Sequence, residues 1–405
     1  MSVDRTVVSV MGRFHAFDLA RELDRRGRLA RLFTSYPSSL LPRFGLDPAM
    51  GRTLPWVELS TRALRKVAPE RGRRHAPWFA RRYDRWVAAQ LEEGPSAFIG
   101  WSGQCRASLE RARDLGMTTI VERGSAHIEV QRDLLAAEFE RAGLRPVLPH
   151  PAVVEAELAE YELADFVQVP SEFARASFVE RGFDPAKILV NAYGVELGAF
   201  SPPVRQPAGF RVLFCGRASV QKGIGHLLAG FAALDAPEAE LWIQGAVEQD
   251  AEHYRAECTD ERVKWLGHRP QHDLPSVYRE AHVFCLPSIQ DGFGLVVPQA
   301  MASGLPVVVT SSTGAADMVR EGVDGHVVPP GDAAAITAVL RNLHADRERL
   351  RTMSAAAAER VGSGWSWSDY GARAVELLER ARAMCGHAPV VIPGPGAATT
   401  LRRAG

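Results

Sequence analysis

Residues 288–310 read SIQDGFGLVVPQAMASGLPVVVT, and this stretch decides the fold of the second half of the chain. A strand ends, two glycines bracket Phe293, a short apolar helix begins and another strand follows. Gly292 and Gly294 can adopt backbone angles closed to other residues and let a ligand approach the main chain. Free amides at the start of the next helix favour negative charge. The stretch predicts a phosphate-binding loop in a parallel α/β sheet, although any strand-loop-helix connection shares this outline.

Polar side chains frame this loop and an earlier one. Asp291 directly precedes the glycines, and Gln299 follows in the early turns of the predicted helix. Upstream, the apolar strand FRVLFCG at 210–216 is followed by Arg217, by Lys222 and then by a helical pattern. Because the carboxyl ends of parallel strands meet at one edge of a sheet, both loops are expected to converge on a diphosphate.

This arrangement resembles the retaining glycosyltransferases of family four, which have the two-domain GT-B architecture. Arg217 and Lys222 match the family's Arg, four residues, Lys pattern, which binds the donor diphosphate. Asp291 and Gln299 match in spacing, but not in residue type, the Glu, seven residues, Glu pattern that holds the donor sugar and ribose. The resemblance covers nearly the whole chain and is strongest over 210–330.

The resemblance implies an α/β fold with two Rossmann-like domains that face a central cleft. It also implies a nucleotide-sugar donor site in the second domain. The donor-binding residues that it indicates are Gly292, Phe293, Gly294, Leu295 and Gln299.

The chemistry of sugar transfer suits these residues. The bond from the sugar to the diphosphate breaks through an oxocarbenium-like transition state, and negative charge collects on the departing diphosphate. Preorganised cations and backbone amides lower that barrier. Arg217, Lys222 and the main chain at Gly294 and Leu295 supply both without a metal, so we expect no cofactor and no metal. Arg217, Lys222 and Asp291 are therefore catalytic candidates.

His127 is a further catalytic candidate. The run VERGSAH at 121–127 ends a predicted strand and opens a long helix, with Ser125 as the expected N-cap. The resemblance places a histidine here against the donor sugar. The alternative is a histidine that merely begins a helix.

A third group of candidates follows the first strand. Gly12, Arg13 and His15 lie in GRFHAFDLARELDRRG, and a glycine at this strand end lets a ligand reach the sheet edge. The resemblance places this loop near the acceptor, opposite the donor site. Alternatively, Arg13 and His15 lie on the helix surface.

Composition narrows the class of protein. The chain has 405 residues, 46% of them hydrophobic and 24% charged, which is typical of a globular protein of two or three domains. The zero net charge and the lack of a zinc-finger or RNA-binding signature give no reason to expect nucleic acid as a partner. Five scattered cysteines without a Cys-x-x-Cys pair predict neither a disulfide framework nor a zinc site. Without a leader-like start or a long apolar run, the expected location is cytoplasmic.

Strand-like runs alternate with helical patterns in both halves, which predicts two parallel sheets. The runs are at 6–11, 29–35, 97–101, 117–123, 165–171 and 187–193, then at 210–216, 239–245, 263–267, 282–288, 306–310 and 325–329. We expect an acceptor domain at 1–195 and a donor domain at 205–365, joined by a linker rich in Gly and Pro. The helix predicted at 366–385 either crosses back to the first domain, as in the family, or packs on its own domain. Residues 386–405 are expected to form a mobile tail.

Residues 61–86 form a locally basic segment, TRALRKVAPERGRRHAPWFARRYDRW. The segment contains nine Arg or Lys residues and only two acidic residues, Glu70 and Asp84. Four aromatic residues are interleaved with these charges. Such a pattern suits a membrane surface or an anionic acceptor. The alternative, favoured by the neutral total charge, is a solvated helix whose aromatic face packs on the domain. A peripheral membrane contact therefore remains one option for the location.

Together these patterns predict a retaining glycosyltransferase, a hexosyltransferase that moves a sugar from a nucleotide-sugar donor to the hydroxyl of a small molecule, a glycan or a lipid. One alternative is a nucleotide-sugar epimerase of the same fold. Another is a binding protein without catalysis, because the acidic pair is replaced.

Overall fold

The computed structural model describes residues 4–205 and 207–386. Its first sheet has seven strands in the order β3-β2-β1-β4-β5-β6-β7. Those strands are β1 (Thr6–Val10), β2 (Leu29–Thr34), β3 (Gly51–Thr53), β4 (Ala97–Trp101), β5 (Thr118–Glu122), β6 (Phe166–Val169) and β7 (Ile188–Val190). The pairs β1 with β2, β1 with β4, β2 with β3 and β6 with β7 are parallel.

The second sheet has six strands in the order β10-β9-β8-β11-β12-β13, and all neighbours in it are parallel. Its strands are β8 (Phe210–Cys215), β9 (Ala239–Gln244), β10 (Val263–Gly267), β11 (Val283–Leu286), β12 (Val307–Thr310) and β13 (Gly325–Val328). Every residue of β11 and β12 is buried, as expected for a parallel sheet covered on both faces.

Helices follow most strands, as the alternating pattern predicts. The helices up to β7 are α1 (Ala16–Arg25), α2 (Pro55–Val67), α3 (Pro69–Ala88), α4 (Arg106–Asp114), α5 (Ile128–Arg141), α6 (Pro151–Leu163) and α7 (Glu172–Glu180). Those after β8 are α8 (Ile224–Ala232), α9 (Glu252–Glu257), α10 (Leu274–Arg279), α11 (Val296–Ala302), α12 (Ala333–Ala345), α13 (Arg347–Arg360) and α14 (Trp367–Met384).

The strand predictions are confirmed, with one omission. Each of the predicted runs contains an observed strand, generally trimmed by a residue or two at its ends. The strand β3, with its three residues Gly-Arg-Thr, was not predicted. It lies at an edge of the sheet, and none of its three residues is buried. Its sequence therefore lacks the apolar pattern from which strands were predicted.

The chain divides into two compact units, and neither is a single continuous segment. The first comprises residues 4–121, 159–166 and 374–386, and the second comprises 122–158 and the described part of 167–373. Each has its own apolar core. The first core includes Val8, Phe17, Leu32, Phe98 and Leu109, and the second includes Phe214, Leu241, Phe284, Val297 and Val308.

The start of α14 is fixed by local hydrogen bonds and close packing. The Ser366 hydroxyl accepts from the Asp369 amide at 3.1 Å, and the Asp369 carboxylate accepts from the Ser366 amide at 2.9 Å. This reciprocal pair is a capping box. A Cβ on Gly194 would lie 2.5 Å from Cα of Trp367, so only glycine allows the chain after β7 to approach this helix so closely.

Within the described residues, no helix combines the length and the apolar character that crossing a bilayer requires. The tail predicted for 386–405 lies, apart from Gly386, outside the described residues.

Candidate active site

The second sheet has a topological switch point between β8 and β11. These two strands are neighbours, with Val283 opposite Val212, whereas β9 lies on one side of them and β12 on the other. In open parallel sheets ligands bind beyond the carboxyl ends of the strands at such a point. The loops that leave it, 216–223 and 287–295, contain the two predicted cations and the glycine loop. The structure thus brings together at one edge the two loops that the sequence predicted would converge.

Side chains of the first loop contact the second loop. Nζ of Lys222 forms an ion pair with Oδ2 of Asp291. Nε2 of Gln221 donates to the main-chain oxygen of Gln290 at 3.1 Å. Two residues predicted separately, a diphosphate-binding lysine and an acidic residue before the glycines, are therefore in direct contact.

Arg217 lies in the same loop but points into solvent. Its side chain is 78% exposed, and Nη1 lies 3.1 Å from Oε1 of Glu248. Because an exposed ion pair contributes only about 0–1 kcal/mol, a phosphate can replace Glu248 as the partner of this guanidinium at little cost.

Gly292 is required for packing and not for an unusual backbone angle, which corrects the sequence interpretation. Its φ is not positive, in contrast to that of Gly294 at +85°. A Cβ on Gly292 would lie 2.1 Å from the main-chain oxygen of Gly124 and 2.6 Å from Cα of Ser125. The main chain that approaches Gly292 is therefore the segment before α5.

Helix α11 begins directly after the glycine loop. The amide of Val297 donates to the main-chain oxygen of Gly294 at 2.9 Å, and Leu295 occupies the N-cap position. A leucine supplies no capping group, and no side chain of the described residues caps this end. The Val297 amide is thus already bonded, and Pro298 has no N–H. That an anion beside Lys222 binds the main-chain amides of Gly294, Leu295 and Val296 stays a prediction.

Phe293 and Gln299, both predicted to bind the donor, are buried side chains. The ring of Phe293 packs edge-on against Tyr193, with 5.5 Å between the centroids. Gln299 lies within α11, and its main-chain oxygen accepts from the hydroxyl of Ser303 at 3.0 Å. Leu295 is partly exposed at the start of the helix. In the structure, Phe293 holds the loop on its own unit.

Gln290 is a positioning residue that the sequence analysis missed. It is fully buried, and its Nε2 donates to Oγ of Ser125 at 2.5 Å. Oγ of Ser171 donates to the main-chain oxygen of Gly292 at 2.8 Å. These bonds fix the glycine loop against two segments that lie far away in sequence. Only the position of Gln290 beside Asp291 could have drawn attention to it.

His127, and not Ser125, is the N-cap of α5. Its Nδ1 accepts from the amide of Glu129 at 3.3 Å, whereas the Ser125 hydroxyl is bonded to Gln290. The imidazole is buried, and its ring packs edge-on against Phe178 with 5.0 Å between centroids.

The environment of His127 determines its charge. Burial, together with the nearby guanidinium groups of Arg181 and Arg123, lowers the pKa of His127 to about 4. The imidazole is therefore neutral near pH 7, with Nδ1 as an acceptor.

The first sheet has a switch point of its own, between β1 and β4. Gly12 follows β1 with φ +97°, donates from its amide to Oγ of Ser35 at 2.8 Å and needs the conformational freedom of glycine. The Arg13 guanidinium lies 4.7 Å from the ring centroid of Phe44. The ring of His15 lies 5.1 Å from that of Trp101 at the end of β4. All three predicted acceptor-binding residues thus lie at the carboxyl ends of β1 and β4.

Phe14 and Trp101 are two further candidates at this edge that the sequence analysis did not name. Phe14 has φ +42°, and among the described residues it is the one non-glycine residue with positive φ. Its ring is exposed. Nε1 of Trp101 is buried and has no hydrogen-bond partner within the described chain. Strained backbone and unsatisfied donors concentrate at functional sites.

Groups of His, Cys, Asp and Glu that could hold a metal ion were not found in the described ranges 4–205 and 207–386. The expectation that no metal takes part stays a prediction.

The sequence of the second sheet matches a known family. Residues 209–346 match the family described as Glycosyl transferases group 1, and this range includes the switch-point loops with Arg217, Lys222 and Asp291. The second sheet and its switch-point loops are thus similar in sequence to the glycosyl transferases group 1 family.

Curated relatives cover about half of the chain. D-inositol 3-phosphate glycosyltransferase of Corynebacterium urealyticum is 30% identical over 232 residues, which are 50% of this chain and 54% of that protein. The amylovoran biosynthesis glycosyltransferase AmsK of Erwinia amylovora is 28% identical over 217 residues, 50% of this chain and 53% of that protein. The chain thus spans about half the length of the curated relatives that it matches.

Solved structures resemble nearly all of the chain. Sucrose-phosphate synthase of Thermosynechococcus elongatus has a TM-score of 0.70 and 20% identity, and the match covers 94% of this chain and 100% of that one. HepE of Anabaena, solved in complex with UDP, has a TM-score of 0.67 and 14% identity over 93% of this chain and 100% of that one. The predicted fold class, GT-B with two parallel-sheet Rossmann-like domains, is confirmed.

Proposed function

We propose that the protein is a retaining glycosyltransferase that moves a sugar from a nucleotide-sugar donor to an acceptor hydroxyl. One observation carries the proposal. The Lys222–Asp291 ion pair joins two loops at the switch point of a sheet whose residues match the group 1 glycosyl transferases. This position combines a cation, a glycine loop and an uncapped helix start, which are the groups that recognise a diphosphate.

In the proposed reaction a further negative charge develops on the departing diphosphate in the transition state. Lys222, Arg217 and the amides at the start of α11 stabilise that charge. The bond from the anomeric carbon to the diphosphate oxygen breaks, and the acceptor oxygen bonds to the same face of the sugar. The proton of the acceptor hydroxyl passes to the departing phosphate oxygen, so no enzymic base is needed. A neutral His127 lies in the segment that packs on the glycine loop and is proposed to contact the donor sugar.

The names of similar proteins support a nucleoside diphosphate sugar as donor. A HepE structure from Anabaena is described as a complex with UDP-glucose. The relative in Corynebacterium urealyticum is named for a phosphorylated polyol acceptor, and the one in Mycobacterium leprae for a phosphatidylinositol acceptor. We propose a small polyol, a glycan or a lipid headgroup as the acceptor here.

The proposal assigns the donor to residues 205–365 and the acceptor to residues 1–195. In the acceptor part, Gly12, Arg13 and His15 at the ends of β1 and β4 are the proposed contacts. The exposed Arg13 can hydrogen-bond a hydroxyl or pair with a phosphate on the acceptor.

Incubation with UDP- and GDP-sugars, with and without polyol acceptors, tests this function. Nuclear magnetic resonance of the products identifies the linkage formed. Release of nucleoside diphosphate with a new glycoside of unchanged anomeric configuration is the expected result. An epimerised or free sugar without an acceptor requirement would indicate the epimerase, and tight binding with no turnover would indicate a binding protein. A chelator arm is expected to leave the rate unchanged, because the cations in the proposed site are side chains.

A further inference from the structure

Helices α2 and α3 expose a pair of tryptophans. Trp56 is 40% exposed and Trp78 is 50% exposed, and their ring centroids lie 6.4 Å apart. The neighbouring aromatic residues Phe79 and Tyr83 are buried and pack α3 onto its unit. Trp56 and Trp78 also pack on Phe79, with 6.3 Å and 5.0 Å between the ring centroids. The packing interpretation therefore explains the inner side of the tryptophan pair but not its large exposed fraction.

An apolar stripe continues from Trp56 along the exposed face of α2. Leu59 is 63% exposed and Val67 is 84% exposed, and the exposed Ala63 lies between them. The spacing of these four residues places them on one side of a helix. A helix in a globular protein normally turns such a stripe toward the core. Here the core side of α2 is formed by other residues, among them the buried Val57.

Exposed cations share the two helices with this apolar stripe. The exposed basic side chains of the two helices include Lys66, Arg71, Arg74, Arg81, Arg82 and Arg85. All six are exposed, and the exposed Trp78 lies between Arg74 and Arg81 along α3. Arg74, Arg81 and Arg82 form no ion pair with the described part of the chain. The chain as a whole has equal numbers of acidic and basic residues, so this concentration of positive charge is local.

Two described carboxylates of this region, Asp84 and Glu58, are bonded to other groups. Asp84 is buried and accepts hydrogen bonds from the amides of Ala107 and Ser108, at 2.7 Å and 2.9 Å, at the start of α4. Glu58 accepts from the side chain of Arg62 at 2.6 Å. Neither of these two carboxylates pairs with the six exposed cations.

We propose that this cationic aromatic surface, formed by Trp56, Leu59, Val67, Trp78 and the six exposed cations named above, binds an anionic lipid bilayer. Tryptophan favours the headgroup level of a bilayer, where its ring is apolar and its N–H finds a hydrogen-bond acceptor. Arginine and lysine place their stems on apolar surface and their charges on lipid phosphates. A soluble polyanion would use the cations but leave the exposed apolar stripe in water. The combination fits a membrane surface, and this proposal does not depend on the proposed function.

Sedimentation with vesicles tests the proposal on the full-length protein. We expect binding to vesicles of phosphatidylcholine with phosphatidylglycerol, weaker binding at high salt and little binding to phosphatidylcholine alone. The double variant Arg74→Gln/Arg81→Gln is expected to bind roughly 25-fold more weakly, since each basic residue near an anionic surface contributes about fivefold. Trp56→Ser/Trp78→Ser is expected to lose more than about tenfold, because the apolar contact is removed.

A matched control uses Arg341→Gln/Arg351→Gln, two exposed arginines on α12 and α13 that lie outside this surface. This control is expected to bind vesicles as tightly as the natural protein. Equal loss in the control, or no sedimentation with anionic vesicles, would overturn the proposal. Binding to heparin that depends on the arginines and not on the tryptophans, without vesicle binding, would indicate a soluble polyanion and would also overturn it. Circular dichroism checks folding, and the arginine variant remains decisive if the tryptophan variant does not fold.

Discussion

Lys222 and Asp291 form an ion pair between the loop after β8 and the loop after β11. The two strands are neighbours at the switch point of the second sheet, so the pair lies where a ligand is proposed to meet both loops. Because Asp291 already pairs with Lys222, its carboxylate competes with a diphosphate for the lysine's positive charge. Diphosphate binding is therefore expected to weaken when the charge of Lys222 is removed and to strengthen when the charge of Asp291 is removed.

Removal of either cation is expected to slow turnover. Arg217→Ala and Lys222→Ala should each lower turnover more than about tenfold while the fold stays intact, because charge-assisted hydrogen bonds contribute about 1.5–3 kcal/mol. Steady-state kinetics with the preferred donor measures the effect. Arg341→Ala, an exposed arginine on α12, is the control and should behave as the natural protein. Normal turnover in a folded Lys222→Ala variant would contradict the proposed site.

Gln299→Glu is expected to bind the donor nucleotide as tightly as the natural protein, or up to about tenfold tighter. A carboxylate can accept two charge-assisted bonds from ribose, which are roughly twice as strong as neutral ones. Since Gln299 is buried, the same change should lower stability in the absence of nucleotide. Titration calorimetry measures the affinity. The matched variant Gln299→Met lacks the acceptor and should bind about tenfold more weakly; weaker binding by Gln299→Glu as well would show that this position does not face ribose.

Gly292→Ala is expected to lower the free energy of unfolding by about 1–3 kcal/mol, the usual cost of overpacking. Its Cβ would lie 2.1 Å from the main-chain oxygen of Gly124, which cannot move without shifting the backbone before α5. Denaturant unfolding measures the loss. Gly198→Ala is the control, because the nearest atom to its Cβ is a Glu196 side-chain oxygen at 3.4 Å. Equal stability of the two variants would show that Gly124 does not constrain the glycine loop.

His127 is expected to make the fold sensitive to acid. The pKa of about 4 in the folded protein lies below the ordinary value of 6.5. The stability that comes from the neutral buried ring is therefore fully present above pH 6.5 and is lost as the pH falls toward 4. His127→Asn keeps an N-cap acceptor but does not titrate, so it should lose less stability over this range than the natural protein. Denaturant unfolding at several pH values measures the difference, and parallel pH profiles would refute the assignment.

The sequence predicted the strands of the second sheet, and it predicted that the loops after β8 and β11 meet at one edge of that sheet. Strands such as β8 and β11 are short apolar runs buried on both faces, and their pattern is local. The positions of Arg217 and Lys222 after β8 follow from the same pattern. The contact between Lys222 and Asp291 follows from parallel strands placed side by side.

Other features depend on contacts that a local pattern does not contain. Ser125 has the residue type of an N-cap, but its hydroxyl is bonded to Gln290, and His127 caps α5 instead. Gly292 resembles a glycine of a flexible turn, yet the backbone of Gly124 is what excludes a side chain there. Both errors come from one tertiary contact between the glycine loop and the segment before α5.

The binding of a nucleoside diphosphate to the double variant Arg217→Ala/Lys222→Ala tests the central claim most directly. Titration calorimetry with UDP and GDP should detect binding by the natural protein. The double variant should bind at least about 100-fold more weakly, because two charge-assisted bonds are lost and each contributes about 1.5–3 kcal/mol. Unchanged affinity in a variant that unfolds at the same denaturant concentration as the natural protein would contradict a diphosphate site at the switch point of the second sheet.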